Sequence, residues 1–251
     1  MKNLWNSDHA AEFKSDLEQR VYSSRLLGLD SSLVLHGGGN TSVKIEETNL
    51  LGEREQILYV KGSGWDLATI EADGYTPIRM AHLLRLATLE SLSDIQMVNE
   101  MKTHQTIASA PAGSVEAILH AVLPYKYVDH THADAVVTIT NTANGEDRIR
   151  QIYGDQVVII PYVMPGFDLA RMVAERFARE SGPGTRGMIL MNHGIFSFAD
   201  TAQESYARMI DLVGLAEQYL REQDAWDLPR PVGKEKPAVD LAAIAQLRKQ
   251  V

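Results

Sequence analysis

The chain has no cysteine. That excludes disulfides, thiolate catalysis and thiolate-ligated zinc, so a metal could be held only by histidine and carboxylate. It has no apolar run long enough to span a bilayer. The N-terminal stretch, MKNLWNSDHAAEF, carries charges from the start and lacks the apolar core of a secretory signal. Positive charge is scarce: 24 Lys and Arg face 33 Asp and Glu, for a formal net charge of −9. That balance disfavours nonspecific nucleic-acid binding. No internal repeat or low-complexity run is present. A cytoplasmic protein with neither nucleic acid nor membrane as partner is expected. What is present is ordinary for a globular chain, 45% hydrophobic and 23% charged. The 251 residues suit one large domain, or one domain and a tail.

Two histidines stand out, His130 and His132, in the run YVDHTHADAVVTIT from Tyr127 to Thr140. Val128, Val136, Val137, Ile139 and the threonines favour a strand there. Alternate residues of a strand share a face, so the two imidazoles would project side by side as metal ligands. The plain alternative is a pair of inert, hydrogen-bonded histidines near a strand end.

Two glycine-rich loops come earlier. Leu33–Leu35 leads into His36-Gly37-Gly38-Gly39-Asn40-Thr41-Ser42, followed by a strand at Val43–Ile45. Amides of this loop, Gly39 included, and the Asn40 side chain could meet a ligand, although triple glycine is often only a flexible turn. The glycine spacing is not that of a P-loop. Residues 46–55 read as a hairpin loop, and Ile57–Val60 as a strand running into Lys61-Gly62-Ser63-Gly64, which can offer a cation, a hydroxyl and bare amides to an anion. If the two strands are neighbours, both loops face one pocket.

Further along, helices are predicted over Ala10–Gly28, Pro77–Leu92, Asp94–Lys102, Leu169–Ser181 and Ala202–Gln223. A loop and short helix fill Asn141–Tyr153, and Val157–Ile160 is a buried strand. Ser114 is a natural N-cap, with Glu116 in the first helical turn. There an acidic residue commonly serves the helix dipole, and the end with Gly113 and Ser114 is also a phosphate seat. His120, one turn on, reads as structural, and His82 and His104 as surface or core histidines without close partners. Asn192-His193-Gly194 is a tight turn between two apolar strands, which holds His193 at a strand end. Leu228–Pro237 is Pro-rich and linker-like, and Ala238–Lys249 suits one more amphipathic helix.

Five segments, GGGNTSVK at 37–44, VKGSG at 60–64, GSVEAILH at 113–120, HTHADA at 130–135 and MNHGIFSF at 191–198, resemble the class II aldolase and adducin head family in order and spacing. The resemblance covers roughly residues 10 to 224. The VKGSG form is most similar to the aldolase part of bifunctional rhamnulose-phosphate aldolase/lactaldehyde dehydrogenase proteins. The resemblance implies a three-layer α/β/α fold with a mainly antiparallel central sheet, here residues 1–227, followed by the linker and helix of 228–251. It implies a divalent metal, zinc or else manganese or cobalt, on His130, His132 and His193, and a homotetramer with active sites at subunit boundaries. Glu116 falls at the family's catalytic acid/base position, and Asn40, Ser63, Gly64 and Ser114 at phosphate-contacting positions. A phosphate role for Lys61 is inferred from its loop alone, and Val115 stands where family sites often carry a second hydroxyl.

The implied activity is cleavage of a phosphorylated ketose, such as a deoxyketose 1-phosphate, into dihydroxyacetone phosphate and an aldehyde. A divalent ion would stabilise the charge that collects as the carbon–carbon bond breaks, and Glu116 would carry the proton. Tyr162, or Tyr219 of a neighbouring subunit, is a candidate for the second proton transfer. An epimerase, dehydratase or decarboxylase could use the same centre, and an adducin-like oligomerisation module would need none of it. Three histidines kept together with Glu116 argue for an enzyme. Nothing after Glu222 offers a nucleotide-binding fingerprint, so no NAD activity is expected.

Overall fold

The structure, a computed structural model, describes residues 1–227 and 241–250. In chain order its elements are α1 (Ser7–Ala10), α2 (Asp16–Gly28), β1 (Asn40–Thr48), β2 (Arg54–Lys61), β3 (Tyr75–Arg79), α3 (Met80–Leu86), α4 (Asp94–Thr103), α5 (Ala117–Val122), β4 (Tyr127–Thr131), α6 (Asp134–Thr140), α7 (Gly145–Tyr153), β5 (Val157–Ile160), α8 (Phe167–Glu180), β6 (Gly187–Leu190), β7 (Gly194–Ala199), α9 (Ala202–Glu222) and α10 (Leu241–Gln250). The strands form one seven-stranded sheet in the order β3-β2-β1-β4-β7-β6-β5. Every pairing is antiparallel except β5 with β6.

Alternation along the strands builds a core on each face, as a period of two requires. Val157, Ile159, Ile189 and Ile195 pack with residues of α2, α6 and α9, among them Leu27, Ile139 and Met209. Val158, Ile160, Met188, Leu190, Phe196 and Phe198 pack with residues of α3, α5 and α8, among them Leu83, Ile118 and Phe177. The result is the expected three-layer α/β/α arrangement. Capping boxes start two of the helices, Ser15 with Glu18 at α2 and Ser93 with Gln96 at α4. Among the described residues no helix is long and apolar enough to cross a membrane.

Four local expectations are corrected. The stretch from Tyr127 is a strand only to Thr131; Asp134–Thr140 is helix. Its buried residues Ala135, Val136, Ile139 and Thr140 recur at helical spacing against α9, and that packing overrides β-branched propensity. His132 therefore lies just past the strand. Pro77 sits in β3 rather than in a helix; β3 ends the sheet, where a residue without an N–H is tolerated. The helix follows only at Met80. The β1–β2 ladder continues to Thr48 opposite Arg54, so the hairpin loop is 49–53. Ser114 is not an N-cap: α5 starts at Ala117, with Glu116 immediately before it. Leu228–Pro237 lies outside the described residues, while the C-terminal helix is present as α10.

Candidate active site

The ends of β1, β4 and β7 meet at one point, because Asn40 is opposite His130 and Thr131 is opposite Ile195. His130 is fully buried in β4. Its ring stacks on Phe196 at 4.2 Å, and its Nδ1 lies 3.1 Å from the Ile195 carbonyl. A carbonyl only accepts, so the proton sits on Nδ1 and Nε2 presents a lone pair. That Nε2 is 3.1 Å from His132 Nε2. His193 completes the group, with ring centroids 4.9 Å from His130 and 5.2 Å from His132.

The turn that carries His193 is held in an uncommon conformation. Asn192 has φ of 58°, and its amide donates to the Thr140 carbonyl at 3.2 Å and to Asn141 Oδ1 at 3.1 Å. Gly194 follows because nothing larger fits: a Cβ there would lie 2.4 Å from the Thr131 carbonyl oxygen and 3.0 Å from His130 Cε1. Gly39, at φ of +61°, likewise lets the first glycine loop pass the His130 carbonyl.

Glu116 is buried beside the histidines. Its Oε2 is 3.6 Å from His130 Nε2, and its Oε1 is 3.7 Å from His193 Nε2. It makes no side-chain capping bond to its own helix; Oε2 instead accepts from Asn40 Nδ2 at 2.6 Å. Its carboxylate is thus bonded to β1 rather than to an amide of its own helix. Burial pushes its carboxyl up to about 7, opposed by the Asn40 hydrogen bond. The three imidazoles shift the other way. Burial, then the neighbouring His132 and His193, hold His130 well below its ordinary value. Burial and His132 bring His193 to about 4, and His132, the most open of the three, is lowered by burial and by Lys61. Neutral imidazoles are the ligating form.

Whether a divalent cation suits these residues can be judged from what they leave unsatisfied. Glu116 Oε1 and His193 Nδ1 are buried with no hydrogen-bond partner. Ligand nitrogens of His130, His132 and His193 lie within 4.8 Å of one another. Three neutral imidazole nitrogens that converge, with His193 Nδ1 otherwise unpartnered, form a donor set that such a cation satisfies, while Glu116 Oε1 stands beside them uncommitted.

Both glycine loops do face one pocket, a cavity of about 240 Å³ lined by Gly39, Asn40, Lys61, Ser63, Gly64, Ser114, Glu116, His132 and His193 among others. The second loop pairs with the 111–114 segment: Ser63 N–H donates to the Ala112 carbonyl and Ser114 N–H to that of Lys61. Those two amides are therefore engaged. Gly64, in the left-handed region with nothing within 4 Å of an added Cβ, lines the cavity. Asn40 uses both amide hydrogens, on Glu116 and on Ser114 Oγ at 3.1 Å. Lys61 is buried and donates to the carbonyls of Gly37 at 2.9 Å and Trp65 at 2.6 Å, which ties the loops together. Burial brings its ammonium down to about 8, opposed by Asp66.

Sequence reasoning missed several supporting residues: Phe196 behind His130, Gly194 beneath the histidines, Pro165 at the cavity wall, and Ser42 and Asn40 as partners of His120. Neither tyrosine candidate lines the cavity. Tyr219 accepts from Arg148 at 3.1 Å, and Tyr162 is 55% exposed. His82 and His104 do have partners. Their rings stack 3.2 Å apart at 3°, and His82 Nε2 is 2.8 Å from Glu100 Oε2. Lone pairs of parallel rings lie in parallel planes and do not converge on one ion, unlike those of the first cluster.

The fold and this centre define a three-layer α/β protein with three histidines and a buried carboxylate gathered at strand ends beneath two glycine loops. The chain belongs to the Class II Aldolase and Adducin N-terminal domain family, whose match runs over residues 18–220. It is 36% identical over 223 residues to a Bacillus subtilis (strain 168) protein named uncharacterized oxidoreductase YuxG, covering 89% of this chain and 32% of that relative. The chain thus spans about a third of that relative's length. Among solved structures, the N-terminal class II aldolase domain of a conserved Thermoplasma acidophilum protein superposes with a TM-score of 0.81 at 44% identity, covering 88% of this chain and all of that one, 100%. A sugar-phosphate aldolase from Thermotoga maritima superposes at 0.62 with 15% identity, covering 88% of this chain and 99% of that one, a likeness of fold.

Proposed function

We propose that this chain is a metal-dependent aldolase that cleaves a phosphorylated ketose, of the deoxyketose 1-phosphate kind, into dihydroxyacetone phosphate and an aldehyde. The observation that carries the reading is the meeting of three neutral histidines and one buried, partly unpartnered carboxylate under a pair of glycine loops. His130, His132 and His193 would hold the ion, with zinc favoured by an all-imidazole set. A divalent cation there would supply fixed positive charge for the electrons left on the substrate fragment, and would favour the ionised form of the neighbouring carboxyl.

Glu116 does the proton work. When the carbon–carbon bond breaks, its electrons collect on the fragment that becomes dihydroxyacetone phosphate, and that carbon must receive a proton. Glu116 lines the cavity and its Oε1 has no partner within the chain, so it is free to hold and deliver it. Asn40 holds Oε2 meanwhile. The Gly64 backbone and the Ser63 hydroxyl flank the space for the phosphate, and Lys61 keeps their loop against the first one. The substrate hydroxyl must lose a proton as well. With no tyrosine among the residues lining the cavity, a group from a second copy is the natural supplier, in keeping with a homo-oligomer.

A panel of ketose 1-phosphates, with products detected chemically and each run repeated with chelator, tests the reading. Chelator-sensitive release of dihydroxyacetone phosphate is expected. Turnover that leaves the carbon skeleton intact would mean an epimerase or dehydratase, and loss of carbon dioxide a decarboxylase. Equal cleavage of unphosphorylated sugars would remove the phosphate-binding role of the loops.

A further inference from the structure

We propose that His120 is a positioning residue: it fixes the orientation of the Asn40 amide and, through that amide, aims the Glu116 carboxylate. The catalytic consequence rests on the aldolase reading; the hydrogen-bond relay does not.

Direction in the relay follows from what each group can do. An ionised carboxylate only accepts. Asn40 places Nδ2 2.6 Å from Glu116 Oε2 and 3.1 Å from Ser114 Oγ, which occupies both amide hydrogens. Its Oδ1 must then accept, and His120 Nε2 lies 2.5 Å from it. His120 is therefore protonated on Nε2. Its Nδ1 is 2.8 Å from Ser42 Oγ, so in the neutral ring it accepts the serine proton. The order is Ser42 to His120 to Asn40 to Glu116, each donating to the next. The Nε2–H is required whether the ring is neutral or charged, so the relay does not depend on a titration. With the amide turned over, its oxygen would face the carboxylate, and its nitrogen would face a ring N–H.

The parts are rigid. Asn40 and Ser42 are alternate residues of β1 and share a face. Glu116 and His120 are one helical turn apart at α5, and the His120 ring is fully buried, edge-on to Phe196 at 5.4 Å. Phe196 in turn stacks under His130, so the relay and the histidine centre share one support. A phenylalanine at position 120 would fill the same space. Histidine differs from it in using both ring nitrogens. The outcome is that Oε2 is pinned while Oε1 is left without a partner, 3.7 Å from His193 Nε2. This names Oε1 as the oxygen that handles the proton.

Two measurements test the relay. In protein carrying 15N-histidine and loaded with zinc, nuclear magnetic resonance should show the His120 ring protonated on Nε2, with the signal identified by its loss in His120→Gln or by its proximity to Phe196. A ring protonated only on Nδ1 overturns the relay. The second measurement is exchange of dihydroxyacetone phosphate carbon-bound hydrogens with D2O, which reports proton transfer without needing the aldehyde. His120→Phe should keep its zinc and lose about 10- to 100-fold in exchange rate, the scale of a small misplacement of a reacting group. His120→Gln, which retains an N–H toward Asn40, should recover most of that loss. Equal exchange by wild type and a zinc-loaded His120→Phe overturns the proposal. A wild type that exchanges nothing overturns the aldolase reading instead, and the ring tautomer still decides the relay.

Discussion

Gly194→Ala should damage both stability and metal affinity. One methyl group added at Gly194 would lie 2.4 Å from the Thr131 carbonyl oxygen, 3.0 Å from His130 Cε1 and 3.2 Å from His132 Cδ2. All three are closer than the ~3.5–4.0 Å at which carbon contacts are favourable. One neighbour is backbone in β4 and another is a fully buried ring, so no flexible chain end can move aside. Overpacking of this kind costs ~1–3 kcal/mol. For a domain of this size that lowers Tm by ~2–12 °C. Relief must come from shifting the end of β4 or tilting a ligand ring. Disturbance next to a metal's ligands typically costs ~10- to 100-fold in affinity. Thermal unfolding of chelator-treated protein separates the steric cost from metal linkage, and calorimetric titration with Zn2+ or Co2+ gives the affinity. Gly182→Ala is the control, because a Cβ there meets nothing within 4 Å. If Gly194→Ala matches Gly182→Ala in both Tm and affinity, the idea that a glycine is required beneath the histidine pair is wrong.

Three other perturbations have defined outcomes. Glu116→Gln should retain about one zinc per chain and lose at least ~100-fold in turnover, the low end for a missing acid/base; an unchanged rate would return Glu116 to a supporting role. Asp129→Asn should cost ~3–5 kcal/mol in urea unfolding, because it leaves the buried Arg20 guanidinium, 2.5 Å away, without a counter-ion; a loss below ~1 kcal/mol would show that the pair is hydrated. Lys44 is brought from 10.5 down to about 8 by burial, opposed by Asp200, so between those pH values the folded state binds fewer protons than the unfolded one. Wild type should therefore gain stability relative to Lys44→Met as pH rises through that window, by up to about 3 kcal/mol, and identical pH profiles would contradict the burial of this ammonium.

The candidate ligands were legible because two of them are neighbours in sequence and the third sits in a turn between apolar strands. What surrounds them was not. His120 meets Ser42 and Asn40 across 78 and 80 residues of chain, and Glu116 meets Asn40 across 76. Patterns along the chain do not encode such crossings, so position alone left Glu116 between a helix-dipole role and catalysis, the resemblance alone favoured catalysis, and His120 read as structural. The misread helix at Asp134–Thr140 has a related cause. Val136, Val137, Ile139 and two threonines lean toward a strand, while burial against α9 selects the helix. Pro77 was misplaced because an edge strand and a helix start both accept a residue without an N–H.

The register of β1 on β4 connects the centre to a second buried feature. Asn40 is opposite His130, Thr41 opposite Asp129, and Ser42 opposite Val128. Alternation sends Asn40, Ser42 and His130 toward α5 and the cavity, and Thr41 and Asp129 to the other face. There Asp129 meets Arg20 of α2 and accepts from Ser205 of α9, while Thr41 joins Ser24 and Tyr75. A one-residue slip of β4 would push a carboxylate among the histidines and leave Arg20 facing an imidazole. Stability alone does not account for the ion pair, since apolar residues of similar volume often match or exceed a buried pair. Arg20→Met/Asp129→Leu should therefore recover most of the stability lost in Asp129→Asn. If the pair sets register, the double variant should nonetheless bind zinc at least ~10-fold more weakly, because His130 would no longer be fixed from behind. Full recovery of both stability and zinc affinity would show that packing alone holds β4 in place.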